Sequence, residues 1–244
     1  MNIIIYAAGV SSRMKEYLGH KIKALIDFGE KKLIDYQLSW VTKLNPEKLI
    51  IVIGQEHQIL ADHIGYNYNG VEITYVTNPD YKSKGNMLSL WHARNYCDND
   101  VIFTTSDLLC NKSDILKFVK NKNKNKILID SINKDIFHDN DPVKVSFDKN
   151  NLIQKLRKKI DELEKIDGIA VGIYQFDKIV MKKILNYINE SIQKGDDNKS
   201  LYYAIDSALK SSVVSPVLME NANWYDVDTP AEANLAKKNI KLFN

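Results

Sequence analysis

The sequence predicts an α/β fold, a mostly parallel sheet in a three-layer arrangement with helices, and three observations predict it. Short apolar runs rich in Ile and Val recur (IIIY from residue 3, KLIIVI from 48, VIFTT from 101), as expected of strands buried on both faces. Segments with apolar residues at helical spacing separate them, as at 33–44 and 87–96. Strands alternating with helices imply right-handed crossovers and therefore parallel pairing. At 244 residues with 44% hydrophobic content, the chain fits one large domain with a sizeable core. The expectation is a single domain over 1–244, in two halves, 1–110 and 111–244; neither an internal repeat nor a linker divides it.

The opening run Ile3, Ile4, Ile5, Tyr6 reads as a strand. It breaks into Ala7, Ala8 and Gly9, where backbone can approach a ligand closely, and then into Ser11, Ser12, Arg13, Lys21 and Lys23. A strand ending in small residues and then in positive charge suits an anion, most often a phosphate. Residues 33–44 (LIDYQLSWVTKL) follow as a helix closed by Asn45-Pro46, and 48–53 as the second strand. Residues 55–64 read as a helix, and 71–76 (VEITYV) alternate as a third strand. Asn78-Pro79 opens a polar loop to Gly85, before a helix over 87–96 and a fourth strand over 101–105 that ends at Ser106-Asp107.

Beyond a helix over 114–119, the run KNKNKNK (120–126) reads as a solvated turn. Strands are expected at 127–132, 143–147 and 152–156, the last two joined by the hairpin turn DKNN at 148–151. A buried strand at 169–176, helices at 179–192 and 202–209, and short strands at 213–218 and 224–227 complete the pattern. Thr229 is the expected N-cap of a last helix with Pro230 in its first turn.

Composition narrows the function. Thirty-four basic against 31 acidic residues leave a net charge of +3, too small and too spread for a nucleic-acid partner. Two cysteines, Cys97 and Cys110, make no disulfide framework and suit a reducing compartment. No run approaches the roughly 18 apolar residues of a membrane span. With a strand at the very start in place of a leader, the expectation is a cytoplasmic protein without a membrane partner.

Two phosphate loops are excluded by inspection: neither G-x-x-x-x-G-K-[ST] nor G-x-G-x-x-G occurs. What stands instead is AAG-x-S-S-R-M over 7–14, with K-A-L at 23–25. This resembles the nucleotidyltransferase (pyrophosphorylase) superfamily, whose first loop reads AAG-x-x-x-R-[ML] and is followed by P-K; Ile22 stands here where the family usually has proline. The resemblance returns at Trp224-Tyr225-Asp226-Val227-Asp228-Thr229-Pro230, similar to the family's W-x-D-[IV]-D-T-P. Between them, Gly85-Asn86-x-x-Ser89-Leu90 looks most like the phosphocholine cytidylyltransferase branch, which includes phosphoglutamine and 2-aminoethylphosphonate enzymes. The resemblance implies a Rossmann-like, GT-A-like sheet with a small β-rich insertion on the acceptor side.

Candidate site residues follow from both lines of reasoning. In an open parallel sheet ligands bind beyond the carboxyl ends of the strands, so Asp107 and residues 7–13 should face one crevice. A strand-end carboxylate there suits Mg²⁺ bridging phosphate oxygens, or else caps the next helix. Alternation puts Asp226 and Asp228 on one side of their strand. The resemblance makes Asp228 the second metal ligand, with Asp226 in reserve, and Arg13 and Lys23 the catalytic cations. It assigns the nucleotide to Ala7, Ala8, Gly9, Ser11, Ser12, Arg13, Lys23, Gly85, Asn86, Ser89 and Asp107, with CTP preferred and UTP the other pyrimidine choice.

Lys144 resembles a family lysine near the acceptor phosphate; Tyr174, Trp224 and Tyr225 are candidate aromatic walls, suited to a cationic head group. Arg157, Lys158 and Lys159 read as a solvated charge run; His20 lies nearest the phosphate loop, and His57, His63, His92 and His138 read as structural. The implied reaction joins CTP to a small phosphomonoester or phosphonate and releases pyrophosphate, for decoration of a surface polysaccharide, with a homodimer possible. Competing readings are a sugar-1-phosphate nucleotidyltransferase, a nucleotide-sugar glycosyltransferase using Asp226-Val227-Asp228, and an inactive nucleotide-binding regulator.

Overall fold

A computed structural model describes residues 1–18, 22–54, 58–131, 142–159 and 165–243. Four parallel strands make one half of a ten-stranded sheet: β1 (Asn2–Ala7), β4 (Lys48–Gly54), β6 (Val71–Asn78) and β7 (Val101–Thr105), in the order β7-β1-β4-β6. Three small elements lie between them in the chain: the single turn α1 (Lys15–Leu18), the hairpin β2–β3 (Asp27–Phe28, Lys31–Lys32), and β5 (Asn67–Tyr68), which edges the sheet antiparallel to β6. Chain from the second half extends the same sheet. β12 (Gly168–Phe176) runs antiparallel beside β7, and both β9 (Lys126–Asp130) and the hairpin β10–β11 (Lys144–Phe147, Ile153–Arg157) attach through β12. β13 (Ser215–Leu218) pairs parallel with β9.

Strand alternation sends successive side chains of β1 into two different cores. Ile4 joins Ile50, Val52 and Phe103 under α4 (Met87–His92), α6 (Lys178–Gln193) and α7 (Leu201–Leu209). Ile3 and Ile5 join Leu49, Ile51 and Ile102 under α2 (Leu33–Val41), α3 (Gln58–Ile64) and α5 (Lys112–Lys120). A sheet with apolar side chains on both faces, covered on each by helices, is the three-layer arrangement expected.

Some expectations shift. The helix expected over 87–96 is α4 followed by a separate 3-10 turn, Arg94–Tyr96. Asp107 is followed not by a helix but by β8 (Leu108–Cys110), which pairs antiparallel with β14 (Trp224–Asp226). Three residues are too few to show a period, so this strand is invisible in sequence. α5 follows β8 instead and is capped by Asn111, whose side chain accepts from the Ser113 N–H at 2.8 Å.

Two charged runs are less solvated than their composition implies. Lys126 belongs to β9, packs against the Phe118 ring and donates to the Asn121 carbonyl; burial pulls its pKa down to about 8. Arg157 pairs with Asp206 of α7 at 2.5 Å. His63 and His92 contact Asp35 (3.1 Å) and Asp80 (3.4 Å), whereas His20, Lys21, His57 and His138 lie outside the described residues. Among the described residues no helix is long and apolar enough to cross a membrane.

Candidate active site

The carboxyl ends of β1 and β7 lie side by side, with Tyr6 opposite Thr105, so the loops that leave them share one crevice. After β1 the chain turns through Ser11, whose φ of 51° is left-handed, an uncommon conformation for a residue with a Cβ. The Met14 N–H closes this turn onto the Ser11 carbonyl at 2.9 Å. Lys23 follows in a short 3-10 turn, with its side chain 10% exposed.

The far end of the chain reaches the same place through the two-stranded sheet. β14 lies against β8 with Asp226 opposite Leu108, and the Val227 N–H donates to the Asp107 carbonyl at 3.1 Å. Gln37 of α2 donates to the Leu108 carbonyl and anchors β8. Just beyond β14, α8 (Pro230–Lys238) is capped by Thr229, which accepts from the Glu232 N–H at 3.2 Å. Glu232 in turn accepts from the N–H groups of Asp228 (2.9 Å) and Thr229 (2.7 Å). The cap thus consumes Thr229 and Glu232 and leaves the Asp228 carboxylate for the crevice.

Four predicted residues, from the start, the middle and the far end of the chain, meet there. The Lys23 ammonium lies between two carboxylates, 2.5 Å from Asp107 Oδ2 and hydrogen-bonded to Asp228 Oδ1. Arg13 pairs with the other oxygen of Asp228. Burial by itself would pull the Lys23 pKa down, but the charges of Asp107, Asp228 and Asp226 outweigh it and raise it above the usual lysine value. Burial pushes Asp107 up, and the Lys23 charge with its hydrogen bond overcomes that and holds Asp107 below the usual carboxylate value. Lys23 is therefore cationic and Asp107 anionic at neutral pH.

Asp226 completes the cluster: oxygens of Asp107, Asp226 and Asp228 all lie within 4.8 Å of one another. Asp107 Oδ1 is buried and makes no hydrogen bond. Hard oxygen donors converging with a buried carboxylate oxygen left over suit a hard divalent cation such as magnesium. Three carboxylates against Arg13 and Lys23 leave the cluster one charge negative, so an incoming polyphosphate would need such a cation. These residues fit the metal.

Two cavities meet at this cluster. One, of about 240 Å³, is lined by Ala7, Ala8, Gly9, Ser11, Lys23, Gly85, Asn86, Ser89 and Asp107, together with Asn78 and Tyr81. Asn78 Nδ2 donates to Ser89 Oγ at 3.1 Å, tying the end of β6 to α4. The larger, of about 390 Å³, is lined by Gly9, Ser11, Ser12, Arg13, Lys23, Tyr174, Trp224, Asp226 and Asp228, and by Phe103, Lys158 and the start of α7. Tyr174 stacks on Phe103 with ring centroids 5.0 Å apart, and Trp224 donates to Asp130 Oδ2 at 2.9 Å.

Other expected residues fall elsewhere. Lys144 lines neither cavity: it is buried in β10 and its ammonium donates to the Lys158 carbonyl. The neighbouring Lys158, from the run read as solvated, is the lysine that lines the larger cavity. Tyr225 alternates to the opposite side of β14, where it packs on Phe243 and its hydroxyl accepts from Asn239 at 2.9 Å. Tyr202 and Phe103 were missed; Phe103 sits two residues from the end of its strand, an alternation signal that points it toward the same crevice end.

The family model described as Nucleotidyl transferase matches residues 2–240. The CMP-5'-(3-aminopropyl)phosphonate synthase of Streptomyces rubellomurinus is 26% identical over 106 residues, 43% of this chain and 17% of that protein. The CTP:phosphoglutamine cytidylyltransferase of Campylobacter jejuni is 18% identical over 93% of this chain and 96% of its own length. Among solved structures, the inositol-1-phosphate CTP transferase from T. maritima superposes with a TM-score of 0.81 at 22% identity, covering 99% of this chain and 94% of that one, a likeness of fold. The chain spans 17% to 49% of the length of several curated relatives it matches. With a family match that runs from β1 to the end of α8, this chain belongs to the nucleotidyl transferase family.

Proposed function

We propose that this nucleotidyltransferase is a magnesium-dependent cytidylyltransferase that joins CTP to a small phosphomonoester or phosphonate, of the phosphocholine, phosphoglutamine or aminoethylphosphonate type. The observation that carries the reading is the ammonium of Lys23 held between Asp107 and Asp228, with Arg13 on the second oxygen of Asp228. Such a charge cluster at the mouth of two cavities suits a triphosphate on one side and a phosphorylated acceptor on the other. A relative named for CTP and phosphoglutamine, and another named for a CMP-linked phosphonate product, support the choice of nucleotide.

In this reading an acceptor phosphate oxygen attacks the α-phosphorus of CTP in line, the bond to the β-phosphate oxygen breaks, and pyrophosphate leaves. A phosphomonoester has a second pKa of about 6 and is already largely dianionic at neutral pH, so no general base is required. Catalysis then rests on positioning and charge neutralisation. Lys23 would neutralise charge on the α-phosphate and Arg13 would grip the β- and γ-phosphates. Asp107, Asp226 and Asp228 would hold magnesium, whose chemistry when bound is to polarise the α-phosphate and screen the leaving group. Gly85, Asn86 and Ser89 would meet the base in the smaller cavity, and Tyr174, Trp224 and Lys158 the acceptor in the larger. In this reading the product would serve the decoration of a surface polysaccharide.

The test is a panel of ATP, GTP, CTP and UTP against phosphocholine, 2-aminoethylphosphonate, phosphoglutamine and glucose 1-phosphate, reading pyrophosphate with magnesium present. Release with CTP and one of the first three acceptors is expected. Release only with UTP and glucose 1-phosphate would replace this reading with a sugar-1-phosphate enzyme. Silence across the panel would remove it.

A further inference from the structure

Asn86 stands between the two cavities and lines both. It occupies the N-cap position of α4, yet it makes no side-chain cap bond there. Its Oδ1 instead accepts from the Leu201 N–H, the first residue of α7, at 2.7 Å. Ser200, the N-cap residue of α7, makes no side-chain cap bond, and the cap of α7 comes from Asn86 in a different part of the chain. An N–H can only donate, which fixes the amide oxygen toward Leu201 and turns the Nδ2 hydrogens away from it.

The surrounding backbone is locked in the same way. The Gly85 N–H donates to the Asp197 carbonyl at 3.1 Å, and Lys84 pairs with Asp197 at 2.9 Å. A Cβ on Gly85 would stand 1.9 Å from the Lys199 carbonyl oxygen, far inside any non-bonded contact a Cβ makes, so only glycine lets the two segments touch. Ser200, Leu201, Tyr202 and Ile205 then form a wall of the larger cavity.

We propose that Asn86 is a positioning residue that couples the two cavities, so that filling the nucleotide side organises α7 on the acceptor side. This rests on the assignment of the smaller cavity to the nucleotide. An amide Nδ2 offers a hydrogen-bond donor, which matches the acceptor O2 and N3 atoms on a cytosine edge. A base held there fixes the amide plane, and the same plane holds the Leu201 N–H. The coupling is reciprocal by thermodynamic necessity: whatever CTP does for the acceptor wall, an ordered acceptor wall does for CTP.

Hydrogen exchange of peptides spanning 199–205, with calorimetry to verify CTP occupancy, tests this on the full chain with magnesium and no acceptor. In the wild type, saturating CTP is expected to slow exchange in this segment by about tenfold, within the usual range of coupling between sites. In Asn86→Asp a carboxylate still accepts from Leu201, so exchange without nucleotide stays slow, but the donor is gone. At CTP concentrations that saturate this variant, the slowing is expected to vanish. Wild-type CTP binding without any slowing overturns the coupling and leaves the nucleotide assignment standing. Slowing that survives in Asn86→Asp also overturns it, since the coupling then bypasses the amide. Absence of CTP binding in the wild type removes the nucleotide assignment and the coupling together.

Discussion

A lysine amine buried to 10% exposure is costly by itself, and Lys23 is tolerated because two carboxylates flank it and a third lies close by. The arrangement explains why the cluster is preorganised: each charged atom already has a neighbour of opposite sign. Asp107→Asn tests it most directly. Lys23 keeps Asp228 as its partner, so the far-ultraviolet circular dichroism should match the wild type. Pyrophosphate release should fall by about 10²-fold or more, the scale on which loss of one preorganised charge contact acts. Near-wild-type turnover in Asp107→Asn would remove this carboxylate from the reaction. The pairing of Lys23 with both Asp107 and Asp228 was unreadable in sequence: the motifs name the residues, but a distance across 205 positions is set by the fold.

At the scale of elements, caps decide where several of the functional side chains end up. Asp177 at the start of α6 accepts from the N–H groups of Ile179 and Val180, both at 2.9 Å, and from Asn125 at 3.1 Å. Burial pushes its carboxyl up, but these bonds prevail and hold its pKa below the ordinary 3.8. A carboxylate whose pKa drops on folding stabilises the fold above its unfolded value, and that stability is lost as pH falls through the folded value. Asp177→Ala should therefore cost about 1 kcal/mol near pH 7. The difference in melting temperature between variant and wild type should narrow as the pH is lowered below about 4; a difference that stays constant down to about pH 2 would contradict the role of these charge-assisted bonds. The Thr229 cap of α8 was legible from the sequence Asp228-Thr229-Pro230, because capping is local chemistry; its reciprocal partner Glu232 came only with the structure. β8 was not legible, because a three-residue strand exists only by virtue of β14, its partner from more than 100 residues away.

For the whole molecule, nucleotide and metal should act as one ligand. The carboxylate cluster is a net repeller of a triphosphate until a divalent cation joins it, so CTP with magnesium should raise the melting temperature far more than CTP with EDTA. At a CTP concentration about 100 times its dissociation constant, linkage gives about 2.7 kcal/mol. For a chain of this size that is about 5–10 °C in a thermal-shift assay. Equal shifts with and without the metal would detach the cation from the nucleotide site. The long-range architecture was largely readable, since strands buried on both faces and helices between them leave few topologies for the parallel half. The second half of the chain was less so. Lys144 and Lys158 look alike as residues, and only the pairing of β10 with β11 and β12 decides that the first is buried in the sheet while the second reaches the cavity.

The sequence by itself determined the parallel half of the sheet, the small-residue loop with Arg13 and Lys23 behind it, and the family to which these belong, because periodicity and short motifs are local properties of the chain. Tertiary structure alone decided that Asp226 stands in the cluster beside Asp107 and Asp228, that Asn86 caps a helix 115 residues away, and which lysine faces the larger cavity. Each of those depends on which strands pair and which loops touch, and such contacts follow from burying the whole core at once rather than from any segment's own pattern.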